Sequence, residues 1–248
     1  MSFENPIITI HNLSTYFGKD CVHQGLDLAI KRGEILAIVG GSGSGKTTLL
    51  REMLGLMVPS SGSIQIFNKE LVGASKKTKV GIQQRLGVLF QQNALFSSLT
   101  VLENVSFPLI EHTSLDKETI KHLALLKITM AGLAPADANK YPAELSGGMQ
   151  KRAALARAIV LDPELIFLDE PTAGLDPHTA SGLNALILNL QRTMGLTVVM
   201  VTHEKDTLWQ VADRVAFLGE KHVLAVAPMA EIVKNQHPLI QLFFDHGT

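Results

Sequence analysis

The stretch Gly40-Gly41-Ser42-Gly43-Ser44-Gly45-Lys46-Thr47-Thr48 constrains this chain more than any other. It follows an apolar run, Ile35-Leu36-Ala37-Ile38-Val39, and opens into Leu49-Leu50-Arg51-Glu52-Met53-Leu54. That order reads as buried strand, glycine-rich turn and helix. The spacing is that of a P-loop: Gly40, four residues, then Gly45-Lys46-Thr47. Glycines let the backbone curl so that successive N–H groups face one anion. The N-terminus of the following helix adds a partial positive charge at the same point. Lys46 has the length to meet the outer phosphates of a nucleoside triphosphate, and the Thr47 hydroxyl suits Mg²⁺. The bland alternative is a flexible Gly/Ser linker. A linker has no reason to join a buried strand to a helix, nor to end in Gly-Lys-Thr.

At 248 residues the chain is long enough for one domain or two with ample core. Its net charge is −1 and its pI about 6.8, so no basic field points to nucleic acid. The single cysteine, Cys21, excludes an intramolecular disulfide and fits a reducing compartment. The first residues, Met1-Ser2-Phe3-Glu4-Asn5-Pro6, lack the basic and apolar regions of a signal peptide. No apolar run approaches the roughly 18 residues of a membrane span. A membrane role is therefore expected to come through a partner.

Read in order, Ile7-Ile8-Thr9-Ile10 is β-branched and predicts a strand. Tyr16-Phe17-Gly18-Lys19, within 13–20, reads as a turn beside aromatics. Residues 25–30 alternate apolar and polar, as a half-buried strand does. Pro59-Ser60-Ser61-Gly62 closes the helix after the P-loop, and 63–67 is again a strand. Lys76-Lys77-Thr78-Lys79 reads as a solvated loop, with contact to anionic lipid as the alternative. Residues 85–90 form a strand ending at Gln91-Gln92-Asn93. Helical spacing then takes over from 99 to 157, in 101–105 and 115–130. A buried strand returns at 165–168. Helix 179–193, strand 197–201, helix 206–212 and strand 214–218 follow. That alternation predicts parallel strands with crossover helices.

The strand at 165–168 ends in Asp169-Glu170. Two acids at a strand end, in a chain with a P-loop, suit a Walker B motif. Asp169 would hold Mg²⁺ through water, and Glu170 would polarise the attacking water as general base. Standing alone, the pair also reads as a helix cap ahead of Pro171.

Leu145-Ser146-Gly147-Gly148-Met149 precedes a strong helix at 150–161. Ser146 is placed to cap it, and the glycine pair exposes N–H groups to an anion. Here the sequence resembles the ATP-binding-cassette (ABC) ATPases, whose signature is Leu-Ser-Gly-Gly-Gln between P-loop and Walker B. Met149 departs from that pattern, while the Ser-Gly-Gly core is intact. The resemblance runs from about Ile7 to Val226. It implies that Tyr16 stacks on adenine and that Gln91 is the Q-loop glutamine near the metal and γ-phosphate. It also implies that Ala173-Gly174-Leu175-Asp176 is the D-loop and that His203 holds the γ-phosphate. As lone residues, Tyr16 would be core or surface and His203 a satisfied polar group. In the D-loop Ser-Ala-Leu-Asp is commoner, so Gly174 is a second departure.

The fold implied is α/β: a P-loop NTPase of ABC-ATPase type, with a RecA-like parallel sheet, an antiparallel β subdomain and an inserted helical subdomain. Residues 1–91 and 158–227 would form the nucleotide-binding core with its β subdomain. Residues 92–157 would be the helical signature subdomain, and 228–248 a C-terminal helical extension. ATP would touch Tyr16, Gly40 to Thr48, Ser146, Gly147, Gly148 and Asp176. Mg²⁺ would be met by Thr47, Gln91 and Asp169. Glu170, His203, Gln91 and Lys46 would carry hydrolysis. Two copies would pair head to tail, the P-loop of one and Ser146, Gly147 and Gly148 of the other binding the same nucleotide.

Asn93-Ala94-Leu95-Phe96 after the Q-loop, Pro108-Leu109-Ile110-Glu111-His112-Thr113, Leu-Ser-Gly-Gly-Met and Arg152 to Ile159 resemble the ATPase of Mla-type, MCE-associated phospholipid transporters. That implies a permease, an MCE-domain lipid-binding protein and a STAS-domain protein as partners, at the cytoplasmic face of a bacterial inner membrane. Leu95, Phe96, Phe107 and Leu109 read mainly as core, with some lining a groove for the permease. Residues 230–234 and 239–244 predict two short terminal helices. They are either a packed tail or, through exposed Phe243 and Phe244, an anchor for a neighbouring subunit. Rival readings are the ATPase of another importer, such as one for amino acids, and a non-transport ABC switch in cell division or iron–sulfur assembly.

Overall fold

The computed structural model describes residues 6–245. The five residues before Pro6, which carry most of the signal-peptide argument, and 246–248 lie outside them. The chain forms two compact units: one runs to Gln83 and resumes at Thr197, and the other spans Gln84–Leu196.

The first unit opens with β1 (Ile8–Phe17) and β2 (Asp20–Ile30), an antiparallel pair in register from Ile8↔Ile30 to Phe17↔Asp20. The turn expected at 16–19 is shorter: β1, which bulges between Ile10 and Leu13, continues through Tyr16 and Phe17, and only Gly18 and Lys19 turn. Asn12 takes up the bulge at φ 48°. After β3 (Ile35–Gly40) and α1 (Lys46–Met53), β4 (Ser61–Ile66) pairs with β1, and β5 (Lys69–Glu70) with β4. The alternation places Ile8, Ile10, Leu13, Leu26, Leu28, Ile64 and Ile66 inward. Each such side chain contributes roughly 1.5–3 kcal/mol on burial. The lysine-rich segment read as a loop is instead helical, α2 (Lys76–Gln83), with Ser75 joined to Thr78 at its start and Ile82 buried.

In the second unit β6 (Leu86–Leu89) is followed by α3 (Val101–His112), α4 (Lys117–Met130) and α5 (Gly147–Ala158). Thr100 and Glu103 close a capping box on α3, and Asp116 caps α4. The three helices share a core of Val101, Val105, Leu109, Ile128, Ala153 and Ala156. Then β7 (Leu165–Asp169), buried throughout and parallel to β6, leads to α6 (Pro177–Met194).

The chain returns to the first unit with β8 (Thr197–Val201), α7 (Lys205–Val211), β9 (Arg214–Gly219) and β10 (His222–Ala227). β3 lies between β8 and β9, parallel to both, and β10 closes an antiparallel hairpin on β9. All six residues of β3 are buried, as its unbroken apolar run requires. The chain continues through α8 (Met229–Ile232) to α9 (Pro238–Asp245). Phe243 and Phe244 are half-buried against Ala37, Val39 and Phe217. Phe243 meets Phe217 edge-on at 5.5 Å. Of the two readings of the tail, the packed one holds for these phenylalanines and the exposed pair does not; the large apolar residues of α9 that are exposed are Leu239 and Leu242.

Candidate nucleotide site

The loop between β3 and α1 is built from backbone brought unusually close to its surroundings. Gly40 sits at φ 153°, where a Cβ would collide with the Leu218 carbonyl of β9. Gly45 sits at φ 95°, where a Cβ would strike His23 Nε2 and lie 2.8 Å from Val22 Cγ1. Gly43, at φ 76°, meets open space and serves the turn alone. Gly45 is the N-cap of α1 and contributes no side-chain cap, so the first turn presents its N–H groups toward the loop. Lys46 Nζ donates to the carbonyls of Gly40 at 2.8 Å and Gly41 at 2.9 Å. Its charge is held over the curl of the loop, where a phosphate would compete for it.

A recess of about 220 Å³ is lined by Val22, Gly43, Gly45, Lys46, Thr47 and Thr48. A larger one, about 480 Å³, flanks the loop but has walls of Phe217, Leu242 and Phe243. Both carry a lysine and hydroxyls, Lys221, Ser42 and Ser44 in the larger, but of the two only the smaller includes Lys46, Thr47 and the start of α1, where a triphosphate is best met. Tyr16, 45% exposed, stands opposite Cys21 in the β1–β2 register, and the hydrogen bond with that thiol raises its phenol above the ordinary range. The ring is open for stacking. His203 follows β8 with its side chain exposed.

Sequence reading missed what lies behind the loop. His23 and Glu52 are wholly buried, with Nδ1 3.4 Å from Oε2 but not aligned as a hydrogen bond. Thr15 donates to Glu52 Oε1 at 2.5 Å. Alternation continued back from Ile30, Leu28 and Leu26 would turn Gln24 inward; the one-residue slip at Gly25 buries His23 instead.

In the second unit Asp169 ends β7 and Glu170 follows it; they are 9% and 8% exposed. Glu170 adopts φ 49°, a left-handed conformation uncommon outside glycine. Its carbonyl accepts from Ala173 N and from Lys151 Nζ, at 3.2 Å in both cases. Gln91 has an exposed side chain, and its carbonyl accepts from Lys151 Nζ at 2.8 Å. Ser146 caps α5 through Met149 N, so the helix begins at Gly147, three residues before the expected start. Gly147 and Gly148 occupy its first turn, and a Cβ on Gly148 would press on Thr179 of α6. Met149, in the departing signature position, packs on the helical core. Gln150 instead turns back to the carbonyls of Pro142 and Leu145. Gly174 needs its φ of 78°. Asp176 caps α6, and hydrogen bonds from Thr179 hold its carboxyl below the usual range.

The donors proposed for a metal, the Thr47 hydroxyl and the Asp169 carboxylate with the Gln91 side chain, offer oxygen. That matches Mg²⁺, which takes few protein ligands beside phosphate and water.

The family model described as "ABC transporter" matches residues 23–173. The chain belongs to the ABC transporter family. Among its relatives, the "Intermembrane phospholipid transport system ATP-binding protein MlaF" of Escherichia coli K12 is 37% identical over 239 residues, covering 96% of this chain and 88% of that protein. The "Probable ribonucleotide transport ATP-binding protein mkl" of Mycobacterium tuberculosis H37Rv is 36% identical over 96% of this chain. The chain spans only 66% of that relative. The dimeric bacterial ABC transporter cassette MJ0796 superimposes with a TM-score of 0.82 at 34% identity, over 90% of this chain and 98% of that one. The cbiO1 subunit of the Clostridium perfringens ABC transporter complex cbiONQ gives 0.85 at 31% identity, over 94% and 92%. The fold is therefore that of an ABC ATPase domain, as the ordered motifs implied.

Proposed function

We propose that this chain is the ATP-hydrolysing subunit of a transporter that moves phospholipid across the bacterial envelope, driving a partner permease as a nucleotide-sandwich dimer. The similarity to the phospholipid-transport ATP-binding protein, along nearly the whole of both chains, carries the substrate class. The loop amides and Lys46 take the phosphates, and Tyr16 takes the adenine. Ser146, Gly147 and Gly148 of a second copy close on the same triphosphate, beside the Asp176 turn. Glu170 draws a proton from the attacking water, and His203 and Gln91 orient the γ-phosphate and the water. Mg²⁺, when bound by Thr47, Asp169 and Gln91, neutralises charge on the outer phosphates. Once the γ-phosphate is lost, the donor-rich surfaces of two copies lose their shared anion and part.

Among the described residues no helix is long and apolar enough to cross a membrane. The likeness to the phospholipid-transport ATP-binding protein supports a place on the cytoplasmic face of the inner membrane, held by the permease. An MCE-domain protein and a STAS-domain protein would complete the assembly. Purification through this chain, followed by ATPase assays in liposomes, tests the proposal. Co-purification of a permease with an MCE protein, and hydrolysis that responds to phospholipid, are expected. The mycobacterial relatives' name favours one second reading, a ribonucleotide cargo. Hydrolysis stimulated by ribonucleotides and indifferent to lipid would establish it instead.

A further inference from the structure

Lys151 is a lysine where an alanine-rich helix would ordinarily bury something apolar. It is 4% exposed, and a buried ammonium is costly unless acceptors surround it. Two acceptors come from separate segments: the Gln91 carbonyl at 2.8 Å and the Glu170 carbonyl at 3.2 Å. The second belongs to a residue already in the left-handed region at φ 49°. Small changes there swing the carboxylate, because the side chain leaves the same Cα.

The Gln91 end is clamped further along α5. Asn93 Nδ2 reaches Gln150 Oε1 at 3.4 Å. Arg157 donates to the Asn93 and Ala94 carbonyls at 2.9 and 2.8 Å. Asn93 and Ala94 are also left-handed, at φ 62° and 50°. Lys151 and Arg157 of α5 thus hold a strained loop by its carbonyls, and Lys151 extends the grip to Glu170.

We propose that Lys151 is a positioning residue for hydrolysis: its ammonium fixes the main chain of Glu170 and of Gln91 to the helix that begins at Ser146. The inference rests on the reading of Glu170 as general base. Lys151 lies five residues after Ser146, about 7.5 Å along the helix. A nucleotide of a second copy that engaged Ser146 would therefore bear on α5 within reach of the chain's own Glu170.

The test compares Lys151→Met, Lys151→Arg, Glu170→Gln and the Lys151→Met/Glu170→Gln double variant in the full chain with Mg-ATP. Lys151→Met should lower kcat by about 10- to 100-fold, the scale of one lost charge-assisted hydrogen bond. Its KM for ATP should stay within about twofold, since no nucleotide contact is removed. Lys151→Arg should recover most of the rate, and the double variant should be no slower than Glu170→Gln, because both act through one carboxylate. A change confined to KM, no recovery in Lys151→Arg, or additive losses in the double variant would overturn the proposal. Full turnover in Lys151→Met beside an inactive Glu170→Gln overturns this inference alone. Full turnover in Glu170→Gln overturns the general-base reading and this inference with it.

Discussion

Gly45→Ala and Gly43→Ala make a matched pair, because both glycines have left-handed φ and only one is crowded. Each substitution places an L side chain at positive φ, at 95° and 76°, which costs roughly 1–2 kcal/mol. At Gly43 nothing lies within 4 Å of the new Cβ. At Gly45 the Cβ drives into His23, whose ring is wholly buried and backed by Glu52, and into Val22. Overpacking a site that cannot yield adds about 1–3 kcal/mol. Gly45→Ala should therefore cost about 2–5 kcal/mol and Gly43→Ala about 1–2. Urea unfolding without nucleotide reads the difference directly, followed by circular dichroism and by the fluorescence of Trp209, the chain's one tryptophan, on α7. Adding His23→Ala to Gly45→Ala should return roughly 1–3 kcal/mol as coupling energy. Equal losses in the two glycine variants, or no coupling with His23→Ala, would refute the argument that the loop is gripped from behind.

Three further outcomes are expected. Lys46→Ala should abolish nucleotide-dependent dimer closure and lipid transport together, and loss of one alone would show the loop doing less than proposed. Asp116→Ala should lower the unfolding midpoint at neutral pH. Hydrogen bonds from Thr119 depress the Asp116 carboxyl below its ordinary 3.8, so its contribution is present above that value and fades as pH falls through the folded one. The difference between wild type and variant should accordingly vanish in acid; a gap that persists there would exclude the cap as its source. Phe243→Ala should cost about 2–3 kcal/mol by removing packing and an edge contact with Phe217, measured as a fall in Tm. An unchanged Tm would mean that α9 does not share the core of its unit.

The glycine loop, the acid pair after an apolar strand, and the helices flanking them were legible in the sequence because each rests on local periodicity or on a fixed spacing. The same locality misled at 76–79, where charge density suggested a loop while Ser75 and Ile82 supply a start and a buried face for a helix. It left open whether Phe243 and Phe244 pack or stand exposed. Their apolar character was plain, but only the tertiary neighbours Ala37, Val39 and Phe217 decide whether they are covered. His23, Glu52 and Lys151 were invisible for a different reason. A histidine in a strand, a glutamate after the P-loop and a lysine in a helix are unremarkable one at a time. Their meaning comes from partners 29 residues away for His23 and Glu52 and 60 for Lys151 and Gln91.

The two units hold their functional backbone in physically opposite ways. In the P-loop, support comes from absence of side chains: Gly40 and Gly45 let β9 and β2 touch the main chain directly, so any added atom displaces it. At Gln91 and Glu170 it comes from long cationic side chains, Lys151 and Arg157, reaching carbonyls of non-glycine residues. A close-packed loop has one arrangement and resists change. Hydrogen bonds from lysine and arginine tips can lengthen or re-aim within a few tenths of an ångström while the helix stays intact. The glycine loop is thus built to stay fixed. If Glu170 is the general base proposed above, a segment that follows α5 is the path by which closure around ATP would reach it.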